Sequence, residues 1–175
     1  MTLNRRRPEV RVATHGRQKD ALTIAREVTA APEEVFHALT EPERLLKWWS
    51  SLVGAHVNLR PGGEYRFEFR GNEGETGWAK GQYQVLEPPR RIVKTWFSSR
   101  HPELRNSVDL RIEPSPAGTL LTLVHNGLAG RPEVLREYEK DWTDTLGDLA
   151  NAIERQKKRG MHPLPGRAGR TSRAG

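Results

Sequence analysis

The hydrophobic period of this chain changes from two to helical near residue 130, and that change restricts the fold more than any other feature. From Gly54 to His125, apolar residues recur at every second position in short runs separated by Gly, Pro or polar turns. From Glu133 to Lys158 they recur at helical spacing, at Leu135, Tyr138, Trp142, Leu146, Leu149 and Ile153. Glu137, Lys140, Asp144 and Asp148 take the opposite face. Alternation marks strands with one buried side, whereas a period of about 3.6 marks an amphipathic helix. Strands at regular spacing followed by one long helix define an α+β chain with an antiparallel meander.

The segments ahead of the meander supply one more strand and two short helices. Leu22, Ile24 and Val28 alternate within Leu22–Thr29, with Arg26 interrupting the same face. Pro32 with Glu33 and Glu34 starts a helix that carries Val35, Phe36 and Leu39, since proline and acids suit a first helical turn. Thr40 and Glu43 have capping-box spacing and predict a second short helix carrying Leu45, Leu46, Trp48 and Trp49. Ala55, Val57 and Leu59 then alternate, and Pro61-Gly62-Gly63 turns the chain into Tyr65, Phe67 and Phe69. Further strands follow at Trp78–Leu86, Arg91–Phe97, Val108–Ile112 and Thr119–His125, with turns at 71–77, 87–90, 98–105 and 114–118.

Seven strands sharing one apolar face need a cover. One helix, about 10 Å wide with its side chains, covers only part of such a sheet. A strongly curved sheet gripping that helix therefore leaves a gap, partly closed by the two short helices. The pattern predicts a curved sheet wrapped around the long helix, with an internal cavity.

Charge and composition exclude several classes. The chain has 175 residues and no cysteine, so it is sized for one domain and has no disulfide or thiolate chemistry. Its net charge of +7 lies at its ends: residues 1–20 carry +4, residues 155–175 carry +7, and residues 21–154 carry −4. Neither end has periodicity, so 1–20 and 158–175 read as disordered basic tails around a domain at 21–157. A weak, sequence-independent nucleic-acid contact through those tails is the charged alternative to plain solvation. No apolar run predicts a membrane span or secretory leader, and the chain reads as cytoplasmic.

The aromatic side chains are the candidate site. Tyr65, Phe67, Phe69, Tyr83, Trp96 and Trp142 are placed facing the interior, with Trp48 and Trp49 at the entrance. Val108, Leu110 and Leu146 complete the apolar wall. Plain core packing is the competing account of these residues, because a buried aromatic side chain stabilises a fold by about 1.5–3 kcal/mol without any ligand. Tyrosine and tryptophan add a polar handle to an apolar wall. His125 ends the last strand in register with Leu121 and Leu123. It is either a hydrogen-bonded structural group or a titratable group at the pocket mouth.

His37 reads as a surface or packing residue, and His15, His101 and His162 as loop or tail residues. No histidine pair has zincin spacing and no metal or cofactor is implied. Ser50-Ser51 and Ser98-Ser99 lack the Gly-x-Ser-x-Gly elbow. Arg60-Pro61-Gly62-Gly63 leads into a strand, so it is a hairpin turn and not a phosphate loop. Asp141, Glu73 and Glu75 read as solvated carboxylates on a helix face and a loop tip.

These fragments in this order resemble the START-like, or SRPBCC, helix-grip superfamily, and within it the family of the activator of the heat-shock-protein-90 ATPase. The matching residues are Ala31-Pro32-Glu33-Glu34-Val35, Thr40-Glu41-Pro42 with Trp48-Trp49, and Arg60-Pro61-Gly62-Gly63. They continue with Gly81, Pro88-Pro89-Arg90, Thr95-Trp96, Gly118-Thr119, Leu121-Thr122-Leu123 and the helix from Trp142 to Ile153. The resemblance spans about residues 21–157 and is specific in combination. It implies a seven-stranded sheet around a C-terminal helix with a hydrophobic cavity. Superfamily members include lipid and small-molecule carriers, aromatase/cyclases and a chaperone cofactor, so fold does not set function. Lys94 stands where relatives often carry an aromatic residue, facing either outward or into the pocket.

Binding of a small hydrophobic or aromatic molecule in the cavity is the expected function. A cyclase or dehydratase acting through His125, and a chaperone-interacting or regulatory module acting through its surface, are the alternatives. The oligomeric state is not predicted.

Overall fold

The structure, a computed structural model, describes residues 11–12 and 21–160. The chain runs β1 (Arg11–Val12), β2 (Ala21–Val28), α1 (Pro32–Thr40), α2 (Pro42–Trp48), β3 (Leu52–Val57), β4 (Glu64–Arg70), β5 (Thr76–Glu87), β6 (Arg91–Ser98), β7 (Asn106–Ser115), β8 (Gly118–Asn126) and α3 (Pro132–Gly160). The strands form one antiparallel sheet in the order β1-β2-β8-β7-β6-β5-β4-β3. Seven of them, with two short helices after the first and a long closing helix, make the expected α+β helix-grip fold. The additional strand, β1, falls in the segment read as tail. It pairs Arg11 with Ala25 and Val12 with Ile24, occupying backbone groups that would otherwise form a free edge. At the other end, residues 158–160, also read as tail, are the last residues of α3. The rest of both tails, with His15, His162 and the expected nucleic-acid contact, lies outside the described residues.

Local chemistry explains most element ends. Pro32 begins α1 with Glu33 and Glu34 in its first turn, and the helix buries Val35, Phe36, Ala38 and Leu39. Thr40 does not cap α2. Its hydroxyl donates to the Phe36 carbonyl at 2.8 Å, as a buried threonine in a last helical turn does. Glu41 occupies the N-cap of α2 without a side-chain bond, so the capping-box spacing was coincidental. Leu59 also departs from expectation. It lies past the end of β3 and is exposed, because the turn through Asn58 and Arg60 has already begun. Strands β7 and β8 run on to Ser115 and Gly118, which face each other. The turn is therefore shorter than the proline-rich stretch implied. Gly118, at φ 136°, lets this hairpin touch the end of β2; a Cβ there would lie 2.8 Å from the Val28 and Ala30 carbonyl oxygens.

The core lies between the concave face of the sheet and the helices. Leu22, Ile24 and Val28 of β2, Leu121 and Leu123 of β8, and Val108, Leu110 and Ile112 of β7 are buried against α1 and α3. The buried face of α3 is Tyr138, Trp142, Thr145, Leu146, Leu149, Ala150 and Ile153, which recur at helical spacing. Lys157, Lys158 and Arg159 in its last turn oppose the negative end of the helix dipole. Among the described residues, no helix is long and apolar enough to cross a membrane.

Candidate functional site

The inner face of β6 divides the interior in two. Ile92, Lys94, Trp96 and Ser98 alternate inward along this strand, and all four are buried. Trp96 and Ser98 border a cleft of about 510 Å³, whereas Lys94 borders only a void of about 20 Å³. The cleft lies between the ends of β4, β5 and β6 and the first half of α3. Trp49, Phe69, Trp78, Ala79, Trp96 and Trp142 give it apolar walls. Ser98, Ser99, Tyr138, Thr145, Thr76 and Glu75 give it a polar rim, and an Arg100–Asp141 ion pair crosses its mouth.

Strand pairing accounts for the empty space. Tyr65, Phe67 and Phe69 of β4 stand opposite Gly81, Ala79 and Gly77 of β5. Directly opposed residues share a face, so a column of rings meets a column with almost no side chains. At Gly81 glycine is obligatory: a Cβ would fall 2.1 Å from the Thr95 carbonyl oxygen. That close approach also lets the Tyr65 hydroxyl donate to the same carbonyl at 2.6 Å. Side chains of α2 and α3 close around Lys94 beside Tyr65, roofing that end, while Gly77 borders the open cleft.

The predicted site residues separate accordingly. Trp49, Phe69, Trp96 and Trp142 line the cleft. Tyr65, Phe67, Tyr83, Val108, Leu110, His125 and Leu146 are packed in the core and do not line it. Trp48 and Trp49 stack at 5.4 Å and 9° between ring planes, yet only Trp49 reaches the cleft. Trp48 donates its indole N–H to the Ala38 carbonyl at 2.8 Å. Trp142 contacts Trp49 and Trp96 at ring separations of 6.0 and 5.0 Å, making a continuous wall of three indoles.

His125 is a structural group in this geometry. Its Nδ1 accepts the Trp142 indole N–H at 2.9 Å, and burial pulls its pKa down to about 3. A neutral ring that accepts at Nδ1 carries its proton on Nε2, and Nε2 is buried without a partner among the described residues. The imidazole does not line the cleft, so it cannot meet a substrate there as acid or base without rearrangement. His37 pairs with Glu41 on the surface. His101 pairs with Glu137 at 2.9 Å.

Lys94 faces inward. It is fully buried, and its ammonium lies over the rings of Tyr65, Phe67 and Trp96 at 4.6, 4.7 and 5.7 Å from their centroids. Desolvation lowers its pKa to about 7. Burial raises the Tyr65 and Tyr83 hydroxyls, which therefore stay neutral beside it.

Several cleft residues were not singled out from sequence: Trp78, Ser98, Ser99, Arg100, Tyr138 and Thr145. Asp141 and Glu75, read there as solvated, border the cleft. The Ser98 and Tyr138 hydroxyls lie 3.0 Å apart. Trp96 Nε1 lies beside the Tyr138 hydroxyl without a well-formed hydrogen bond. The available signal was the alternation Gly77-x-Ala79-x-Gly81 opposite Phe69-x-Phe67-x-Tyr65, which marks where side-chain volume is missing. Among the described residues, no cluster of three or more His, Asp or Glu is arranged to hold a metal ion.

A curved sheet gripping a long helix, with an aromatic cleft left at one end, defines an SRPBCC-type domain. The chain belongs to the family described as Activator of Hsp90 ATPase homolog 1-like protein, whose profile matches residues 29–154. No curated protein sequence matches it. Among solved structures, it is similar to a protein from Rhodobacter sphaeroides at 21% identity and a TM-score of 0.74, over 85% of this chain and 99% of that one. A protein from Chromobacterium violaceum matches at 25% identity and a TM-score of 0.69, over 77% and 98% of the two chains. CalU16 from Micromonospora echinospora matches at 27% identity and a TM-score of 0.61, over 87% and 88%.

Proposed function

We propose that the protein binds a small, largely aromatic or hydrophobic molecule in the cleft beside α3. The observation that carries this reading is a cleft of about 510 Å³ walled by indole and phenyl rings and rimmed on one side by hydroxyls. Small-molecule sites have volumes of roughly 300–1,000 Å³, apolar walls and a few polar groups that set orientation. Flat rings pack against the wall that Trp49, Phe69, Trp96 and Trp142 form, while Ser98, Ser99 and Tyr138 offer hydrogen bonds at the rim. General use of this fold for ligand binding supports the same reading.

Four of the five tryptophans border the cleft, so intrinsic fluorescence reports its occupancy. Titration with 2-naphthamide is expected to quench that emission saturably. Gly77→Phe projects a ring into the cleft from a position where a new Cβ meets only the movable Ser99 hydroxyl, at 3.2 Å. This variant is expected to fold and to lose the saturable response. Undiminished quenching in folded Gly77→Phe overturns the assignment of the cleft.

A further inference from the structure

Among the described residues, Lys94 is a feature of the interior that neither core packing nor an apolar ligand explains. A cation out of water is strongly disfavoured unless it is paired and hydrogen-bonded. The three ring faces around Lys94 Nζ offset only part of that cost as cation–π contacts. No carboxylate among the described residues pairs with it: each ion-paired acid there is held by another residue. Methionine or leucine at this position would fill the space without that penalty.

Lys94 is also close to the proposed ligand. The void at Lys94 and the cleft share three lining residues, Trp49, Trp142 and Thr145. Lys94 is two residues from Trp96 on the same face of β6, about 7 Å along the strand. Trp48 and Trp142 are each tied by an indole N–H bond. Trp49 has no such tie among the described residues and sits where α2 ends. It is therefore the side chain that must turn, out of its contacts with Trp48, Phe67, Phe69 and Trp142, for the cleft to reach Lys94.

We propose that Lys94 is the anion-recognition group of the binding site, and that the ligand is an aromatic carboxylic acid. Its rings occupy the cleft and its carboxylate passes the Trp49 side chain to meet Lys94 Nζ. This inference rests on the cleft reading and adds the ligand's charge to it. The carboxylate converts an unpaired buried cation into a charge-assisted pair, while a neutral analogue gains nothing there. Other groups bordering the void do not compete. Trp48, Trp49, Trp142 and Thr145 from the helices and Leu110 and Leu123 from the sheet are not ionisable, and the nearby Tyr65 and Tyr83 remain neutral. Because burial holds the Lys94 ammonium near its titration point at neutral pH, pairing with an acid draws a proton onto it.

Calorimetric titration with 2-naphthoate and its neutral isostere 2-naphthamide tests the inference. Near pH 6 the wild-type protein is expected to bind the acid at least about tenfold more tightly than the amide, the gain of one charge-assisted hydrogen bond. Lys94→Met is expected to abolish that preference and keep amide binding. Near pH 8, wild-type titrations in phosphate and Tris, which differ in ionisation enthalpy, are expected to show uptake of up to roughly one proton with the acid and none with the amide. That readout decides the matter alone if Lys94→Met does not fold. Equal binding of acid and amide without proton uptake overturns the role of Lys94 and leaves the cleft reading standing. An acid preference that survives in Lys94→Met also overturns it, and assigns recognition to the cations at the cleft mouth. Failure of both probes to bind removes the cleft reading and this inference together.

Discussion

At the roofed end of the interior, the rings of Tyr65 and Phe67 lie against Lys94, with Tyr83 packed on Tyr65. At the open end, Phe69, Trp78, Trp96 and Trp142 face a cleft. Both regions draw aromatic side chains from β4 and β5. They differ in what stands opposite and above. Gly81 draws β6 in against Tyr65, which bonds to Thr95, whereas Gly77 faces the gap. Aromatic content therefore does not distinguish a core from a site. The side-chain volume across the pair and the reach of the helices do.

Alanine substitution at two neighbours on one face of β4 gives the widest separation between the regions. Phe67 is fully buried and packs on Tyr65 at 4.9 Å and Trp49 at 5.6 Å. Phe67→Ala is expected to cost about 3–5 kcal/mol in chemical denaturation, as large core truncations do. Phe69→Ala, at the cleft wall, is expected to cost no more than about 2 kcal/mol and to weaken 2-naphthamide binding instead. Equal costs at both positions would erase the distinction.

The pH dependence of stability sharpens it further. His125 has a folded pKa of about 3 against an ordinary 6.5. The unfolded chain binds the extra proton between those values, so stability rises with pH from about 3 to 6.5. Lys94, at about 7 against 10.5, is also depressed. The unfolded state again holds more protons, and stability rises a second time from about pH 7 to 10.5 by up to a few kcal/mol. Lys94→Met is expected to remove the upper rise only, and to be more stable than wild type below pH 7, measured by denaturation midpoints at each pH. Loss of stability in Lys94→Met at low pH would show that the lysine is paired.

The smallest effect belongs to the cleft mouth. Arg100 and Asp141 are both largely exposed, and such pairs contribute roughly 0–1 kcal/mol. Asp141→Asn is expected to shift the thermal midpoint little and to leave amide binding unchanged.

The architecture was legible because it rests on local patterning. The period change near residue 130, the alternation within each strand and the proline-led start of α1 all act within a few residues. Gly118-Thr119 and Trp48-Trp49 then placed those pieces in one family. The cleft was less legible, because its walls come from strand pairings and helix reach separated by many residues. Alternation put Lys94 on the face of Trp96, yet its direction stayed open because a buried lysine without a carboxylate runs against ordinary burial. Ser98, Ser99 and Tyr138 carried no motif. Their hydroxyls become relevant only when the end of β6 meets the first half of α3. Phe67 belongs with the core because Trp49 and Tyr65 pack over it, and His125 because Tyr138 and Trp142 of α3 do.

The division between roofed core and open cleft is tested most directly by the indole N–H resonances of the tryptophans during a 2-naphthamide titration followed by nuclear magnetic resonance. Trp49, Trp78, Trp96 and Trp142 border the cleft, and Trp48, bonded to the Ala38 carbonyl, does not. Saturable shifts at the Trp96 and Trp142 indoles with Trp48 nearly unmoved are the expected result. Shifts centred on Trp48, or none at Trp96 and Trp142 while ligand binds, would contradict the account.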